Sequence, residues 1–248
     1  MSRVIPPKKS DSMEFEKALE DIRNGKPILV YDFDDREREC DLTVASQFVT
    51  FETLRMMRKD AGGLVCTTLP YGKAMELGLP FMSDVFWDDV EKYPLLKAMA
   101  PTDIPYDRTK SSFGITINHR DTYTGITDRD RALTIKAYAD TLFQDKPVDE
   151  IRKDMGDRFR APGHVHLLNT SDAILENRCG HTELCTALMF MAGVKPSATI
   201  CEMMGDDGGS RPKEDVMRYA EENGLTFITG TEVIEAWRKF KAETGFDQ

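Results

Sequence analysis

The chain has 248 residues, 40% of them hydrophobic and 31% charged, with 33 basic against 43 acidic side chains and a net charge of −10. That length suits one large domain or two small ones with ample core, and every apolar stretch falls short of the ~20 residues that span a bilayer. The acidic balance weighs against a nucleic-acid or anionic-membrane surface, so an anionic small molecule would need a local cluster of arginines.

The first ten residues, rich in Pro and Lys and without the apolar core of a signal peptide, read as a disordered lead-in over 1–10. Residues 13–24 form an amphipathic helix that buries Phe15, Ala18, Leu19 and Ile22 and ends at Gly25. The β-branched and aromatic run 28–33 is a buried strand. Thr50 caps a helix carrying Leu54 and Met57, and Gly62-Gly63 turns into a short strand, 64–67. A short helix over 70–78 precedes an irregular stretch, 80–112, containing Pro94, Pro101 and Pro105; irregular segments of that length carry function or disorder.

Residues 113–119 form a strand, followed by a turn and a short second strand reaching Gly125. Leu133, Ala137, Tyr138 and Leu142 stand at helical spacing in a helix over 128–143. Pro162-Gly163 opens a strand over 164–168, and Gly180 begins a very apolar helix to Ala192. Strand 198–203, helix 213–222, strand 226–229 and helix 232–241 complete the order. Without a strict βαβ rhythm, this order predicts a single α+β (layered α/β) domain whose mixed sheet is flanked by helices. Five cysteines, Cys40, Cys66, Cys179, Cys185 and Cys201, without a CxxC pair, read as reduced thiols of a cytoplasmic protein.

Four segments carry chemistry. The strand at 28–33 breaks into Asp34-Asp35-Arg36-Glu37-Arg38-Glu39-Cys40-Asp41, where carboxylates and guanidiniums arrive together. Such a strand end can hold a hard cation beside an anionic substrate, or can be a salt-bridged, solvated turn. Arg178-Cys179-Gly180-His181-Thr182-Glu183 stands at the start of the apolar helix, where unpaired N–H groups and the helix dipole favour an anion. There Gly180 admits a ligand to the backbone and Arg178 adds a forked cation. His181 either offers an imidazole to a metal or is an ordinary half-buried histidine beside a Thr182 cap. His164 and His166 share one face of a strand, with no third zinc ligand nearby. Glu202 stands in an otherwise apolar strand, either facing solvent or held in a site that raises its pKa.

These segments, with Gly63-Leu64-Val65-Cys66, Thr124-Gly125-Ile126, Asp128-Arg129, Arg160-Ala161-Pro162-Gly163-His164-Val165, Cys201-Glu202 and Asp206-Asp207-Gly208, resemble 3,4-dihydroxy-2-butanone 4-phosphate synthase of riboflavin biosynthesis, in its stand-alone form. The likeness runs from about Met13 to Phe240 in the family's order and departs from it at Cys40, Cys179 and Ala161. The segments 80–112 and 144–158 look longer than in bacterial relatives. The resemblance implies the family's architecture, related to the YrdC-like fold, with one catalytic domain over 11–244. It implies a lyase converting D-ribulose 5-phosphate to 3,4-dihydroxy-2-butanone 4-phosphate and formate, through enolisation and skeletal rearrangement at a divalent metal.

By similarity, Glu37 and His181 hold magnesium or manganese, with open positions left for sugar oxygens. His164 and Glu202 move protons, histidine being suited by its ordinary pKa near ~6.5. Cys66 joins the catalytic candidates, in a lining role because the chemistry needs no covalent thiol step. Arg36, Glu37, Asp41 and Glu202 contact the substrate. Arg178, Cys179, Gly180, His181 and Thr182 line its phosphate end, to which Lys110, Ser111 and Ser112 also lie as candidates. Glu39 stands behind the ligands or serves a second metal, and His166 supports the strand. Family members are homodimers with sites near the interface, and neither a nucleic acid nor a membrane partner is expected. Two other classes stay open: a nucleotide- or RNA-binding module of the YrdC-like architecture, and an aldolase-type metalloenzyme acting on another sugar phosphate.

Overall fold

The apolar run after the first helix forms a strand with every side chain buried, β1 (Ile28–Tyr31), next to the edge strand of a seven-stranded sheet. The other strands are β2 (Cys40–Ala45), β3 (Cys66–Leu69), β4 (Phe113–His119), β5 (Phe159–Asn169), β6 (Ala198–Glu202) and β7 (Thr226–Thr229), in the spatial order β4-β5-β3-β6-β2-β1-β7. The sheet is mixed: β1–β7 and β3–β5 are parallel, and the remaining neighbours are antiparallel. This computed structural model describes residues 9–88, 90–99, 104–107 and 109–246. Of the lead-in expected over 1–10, residues 1–8 lie outside the described residues, while Lys9 and Ser10 already belong to the first helix.

In chain order the helices are α1 (Lys9–Arg23), α2 (Phe51–Met56), α3 (Tyr71–Leu77), α4 (Met82–Asp88), α5 (Pro94–Met99), α6 (Asp128–Leu142), α7 (Val148–Arg158), α8 (His181–Ala192), α9 (Lys213–Asn223) and α10 (Gly230–Thr244). Strand alternation divides the core in two. On one face Ile28, Val30, Ala45 and Ile200 pack with Ile22 of α1, Leu184 and Leu188 of α8, and Trp237 of α10. On the other, Leu29, Leu42, Val44 and Cys201 pack with Leu54 of α2, Ile135 and Tyr138 of α6, Ile151 of α7 and Val216 of α9. The predicted α+β class with a mixed sheet and flanking helices is the observed one.

Several elements differ from the sequence reading, each for a physical reason. The strand β2 was not expected, because Asp41 and Thr43 make its run look polar; both are buried, on the face that carries the site. The polar helix α7 buries only Ile151 and so lacks an apolar stripe. The stretch 80–112 contains α4 and α5, neither of which buries a residue. In place of a second strand toward Gly125, the chain turns back as the Thr122 N–H and hydroxyl both donate to the His119 carbonyl, at 3.1 and 2.7 Å. No described helix is long and apolar enough to cross a membrane. All five cysteines are free thiols.

Register places the chemistry. Asp41 lies opposite Glu202 across β2–β6, and Cys66 lies beside His166 across β3–β5. Alternation puts these side chains on the face covered by α8, whose N-terminus sits at that end of the sheet.

Candidate active site

Asp32, the residue after β1, organises the acidic turn. Its buried carboxylate accepts the N–H of Glu39 on Oδ1 at 3.0 Å, and on Oδ2 the N–H of Glu37 at 3.0 Å and Arg36 Nη1 at 3.2 Å. The turn is thereby wrapped around one carboxylate, with Arg38 at a φ of 60°. This wrapping aims Glu37 at the start of α8, where its Oε2 lies 3.3 Å from His181 Nδ1. On the ring's other side, His181 Nε2 lies 3.8 Å from Asp41 Oδ1, and both atoms are buried without a hydrogen-bond partner.

The electrostatics follow from burial and pairing. Burial works to raise the Glu37 carboxyl, but the His181 hydrogen bond and the Arg36 charge overcome it and hold Glu37 down at about 2. Burial likewise opposes protonation of His181, yet Asp41 and Glu37 bring it up to about 9. Asp41, enclosed by protein and flanked by other carboxylates, is pushed up to about 8 although His181 pulls the other way. Donor atoms of Asp32, Glu37 and His181 all lie within 4.8 Å of one another. Both Asp32 oxygens already accept N–H bonds, so Glu37 and His181 are the members with lone pairs to give, with Asp41 Oδ1 facing them. An ionised carboxylate beside an imidazole that can give up its proton fits a hard divalent cation.

An anion site adjoins this cluster. Arg36 Nη2 and Arg178 Nε converge on the same oxygen of Asp107, at 3.4 and 2.7 Å. Arg178 is braced by the fully buried Glu183 at 2.5 Å, and Glu183 also accepts the Gly180 N–H at 3.2 Å. Gly180 precedes α8, and a side chain there would run into the Arg178 guanidinium and reach within 2.8 Å of Arg36 Nη2. Thr182 is buried in the first turn of α8. Cys179 turns its thiol to the Leu175 carbonyl at 3.5 Å, so only its backbone is left to face a ligand. Tyr106 closes this side, its ring under the Arg36 guanidinium at 5.2 Å.

Glu202 ends β6, its carboxyl raised mainly by burial, and its Oε2 accepts the Leu64 N–H at 2.7 Å. Burial, with Glu202 and Asp41 nearby, pushes the Cys66 thiol well up. A protonated thiol is a wall rather than a nucleophile. Glu39 accepts the Ser210 hydroxyl at 2.6 Å. His164 is exposed on β5 and bonded to Asn118, and no hydrogen bond or ion pair joins it to the Glu37–His181 cluster among the described residues. Lys110 pairs with Asp84 at 2.6 Å over the Phe81 ring, Ser111 accepts the Phe113 N–H, and the Ser112 carbonyl accepts the Asn169 N–H. These three are engaged away from the arginines.

Sequence reasoning passed over Asp32, Tyr106, Asp107 and Asn118. Asp32 reads as the tail of an apolar strand, and its signal is an acid placed just before a charged turn that needs an internal acceptor for its N–H groups. Tyr106 and Asp107 lie in the long irregular stretch and carry no local pattern.

A family model described as 3,4-dihydroxy-2-butanone 4-phosphate synthase matches residues 16–236. The chain is 46% identical over 228 residues to the 3,4-dihydroxy-2-butanone 4-phosphate synthase of Methanothermobacter thermautotrophicus, covering 92% of this chain and 97% of that protein. It is 45% identical over 235 residues to the enzyme of the same name from Archaeoglobus fulgidus, covering 92% and 96%. Among solved structures it is similar to RibBX, a two-domain 3,4-dihydroxy-2-butanone 4-phosphate synthase from A. baumannii, at 29% identity and a TM-score of 0.69, covering 88% of this chain and 56% of that one. It is also similar to a 3,4-dihydroxy-2-butanone 4-phosphate synthase in complex with two magnesium ions, at 25% identity and a TM-score of 0.70, covering 90% and 96%.

Proposed function

We propose, because this chain belongs to the 3,4-dihydroxy-2-butanone 4-phosphate synthase family, that it is the lyase converting D-ribulose 5-phosphate to 3,4-dihydroxy-2-butanone 4-phosphate and formate in riboflavin biosynthesis. The observation that carries this reading is the convergence of Glu37, His181 and Asp41 beside two arginines that already grip one carboxylate oxygen. A cation site and an anion site stand side by side, as a phosphorylated ketose requires.

Glu37 and His181 hold the divalent cation, magnesium or manganese, and the family likeness to a magnesium-bound structure supports magnesium. When bound, that cation polarises the sugar's carbonyl and hydroxyl oxygens and so acidifies the neighbouring C–H and O–H groups. Glu37 is ionised at any working pH, whereas His181 sheds a proton to become a ligand. Arg36 and Arg178, with the backbone of Cys179 and Gly180 and the start of α8 at His181 and Thr182, take the phosphate where Asp107 now sits. Asp41 and Glu37 meet the sugar hydroxyls.

Glu202, with one oxygen fixed by the Leu64 N–H and its carboxyl raised by burial, is the group poised to take and return a substrate proton. His164 acts on the substrate alongside it, and Cys66 lines the site. The protein works as a cytoplasmic homodimer with sites near the interface. A formate assay with D-ribulose 5-phosphate, run with magnesium and with chelator on wild type and His181→Ala, tests the reading. Metal-dependent formate from wild type alone is expected. Its absence from folded, metal-loaded protein would remove the lyase reading.

A further inference from the structure

Thr124-Gly125-Ile126 stands out in the sequence yet has no part in the site above; its neighbour Asn118 shows what it does. Asn118, on β4, is almost wholly buried, and its amide reaches across to β5 at two points. Oδ1 accepts the His164 backbone N–H at 2.8 Å, and Nδ2 lies 3.0 Å from His164 Nδ1. A backbone N–H can only donate, so the amide oxygen must face it. The other amide atom is then the nitrogen, which carries only donors. Asn118 therefore donates to His164 Nδ1, that nitrogen holds the lone pair, and the ring's hydrogen sits on Nε2. A hydrogen on Nδ1 would meet the Asn118 N–H head-on. Nε2 has no protein acceptor among the described residues.

The reverse arrangement would set the amide N–H group against the His164 backbone N–H, and Gly125 packs close behind the amide. At a φ of +93° the Gly125 backbone lies so close that a side chain would strike Nδ2, Cγ and Oδ1 of Asn118 together. Gly125 is held there by Asp130 in the first turn of α6, which accepts the Gly125 N–H at 2.9 Å and the Thr124 hydroxyl at 3.3 Å. The chain of restraint thus runs from α6 through Asp130 and Gly125 to Asn118 and ends on the imidazole.

We propose that Asn118 is a positioning residue that locks His164 as the neutral Nε2–H tautomer, so that His164 serves the reaction as a hydrogen-bond donor to a substrate oxygen and not as the base that removes a substrate proton. Proton removal then belongs to Glu202. This assignment rests on the catalytic reading of His164 given above. A neutral histidine in a donor role polarises an oxygen where enolate charge develops, without requiring a proton to leave or arrive at the ring.

The test is a long-range proton–nitrogen NMR spectrum of the intact enzyme labelled with nitrogen-15 histidine, recorded where the rings are neutral. The His164 signal is identified by its loss in His164→Gln. Wild type is expected to show Nε2 protonated and Nδ1 bare. Asn118→Asp keeps an acceptor for the backbone N–H but offers a second acceptor to Nδ1, so the tautomer should invert. Its kcat should then fall ~10²–10⁴-fold while KM stays within ~3-fold, a split that general loosening of the site does not produce. Should Asn118→Asp not fold, the wild-type spectrum and Gly125→Ala, which pushes on the amide from behind, carry the test alone. A wild-type hydrogen on Nδ1, a mixture of tautomers, or an inverted tautomer with undiminished kcat overturns the proposal. Full activity of His164→Gln overturns instead the reading of His164 on which it rests.

Discussion

The protons on His181 and Asp41 set a sharp expectation for how the protein takes up a divalent cation. Both pKa values lie above neutrality, His181 at about 9 and Asp41 at about 8. At a pH of ~7 these correspond to ~0.99 and ~0.9 of a bound proton in the metal-free protein. A cation arriving at Glu37 and His181 must displace the His181 proton, because a ligand donates the lone pair that a proton occupies, and its charge close to Asp41 drives off the second proton. The expected release is therefore about two protons per cation near neutrality. Were the two groups at their ordinary values, the histidine would release only ~0.25 of a proton and the aspartate almost none. The sign follows directly. Proton and cation compete, so apparent affinity falls as pH drops below the raised pKa values, by up to ~100-fold per pH unit while both protons are held. Isothermal calorimetry with magnesium or manganese in two buffers of different ionisation heat counts the protons. A release of ~0.3 proton or less near neutrality, or an affinity flat between pH ~7 and ~8, refutes this account of the site.

Three substitutions probe the supports around that cluster. Asp32→Asn leaves only one acceptor where two oxygens now serve three donors, and an unsatisfied buried group costs ~1–3 kcal/mol, so thermal unfolding should fall by ~2–12 °C. Cation affinity by calorimetry should weaken as well, since Glu37 loses its aim. Gly180→Ala places a methyl group against both guanidiniums and should raise KM for the sugar phosphate by ~10-fold or more, the scale of one lost charged hydrogen bond, with kcat less affected in steady-state kinetics. Cys66→Ser should keep kcat within ~10-fold of wild type, as a lining thiol allows and a nucleophilic one does not; a loss comparable to that of His181→Ala would restore Cys66 to the chemistry.

What the sequence disclosed and what it concealed divide along a physical line. Strands buried on every side chain, such as 28–31, and helices with a broad apolar stripe, such as 128–142, were legible because burial alone dictates their pattern. The strand at 40–45 was not, since half of its side chains face a buried polar site and break the apolar alternation that marks a strand. The site stayed visible because Glu202 is conspicuous as an acid among apolar neighbours and Asp41 as the last acid of a charged run. Ligand-facing groups could be read locally. The residues that hold them could not: Asp32 acts through backbone N–H groups, Asp107 through arginines seventy positions away, and Asn118 through a histidine on the next strand.

The balance of charge at the site explains why so many acids tolerate enclosure there. Among the described residues, Asp32, Glu37, Asp41, Asp107 and Glu183 face two guanidiniums, Arg36 and Arg178, and one imidazole. Asp32 and Glu183 are settled, each gathering backbone N–H groups as well as an arginine. The deficit is confined to Glu37 and Asp41, on either side of His181, and there the metal-free protein meets it with two protons held above their ordinary pKa values. Two protons and a divalent cation carry the same charge, so exchanging one for the other leaves the surrounding ion pairs undisturbed. The network therefore needs no rearrangement to become a metal site. The arginines, already matched to the single carboxylate of Asp107, stay free to trade it for a phosphate.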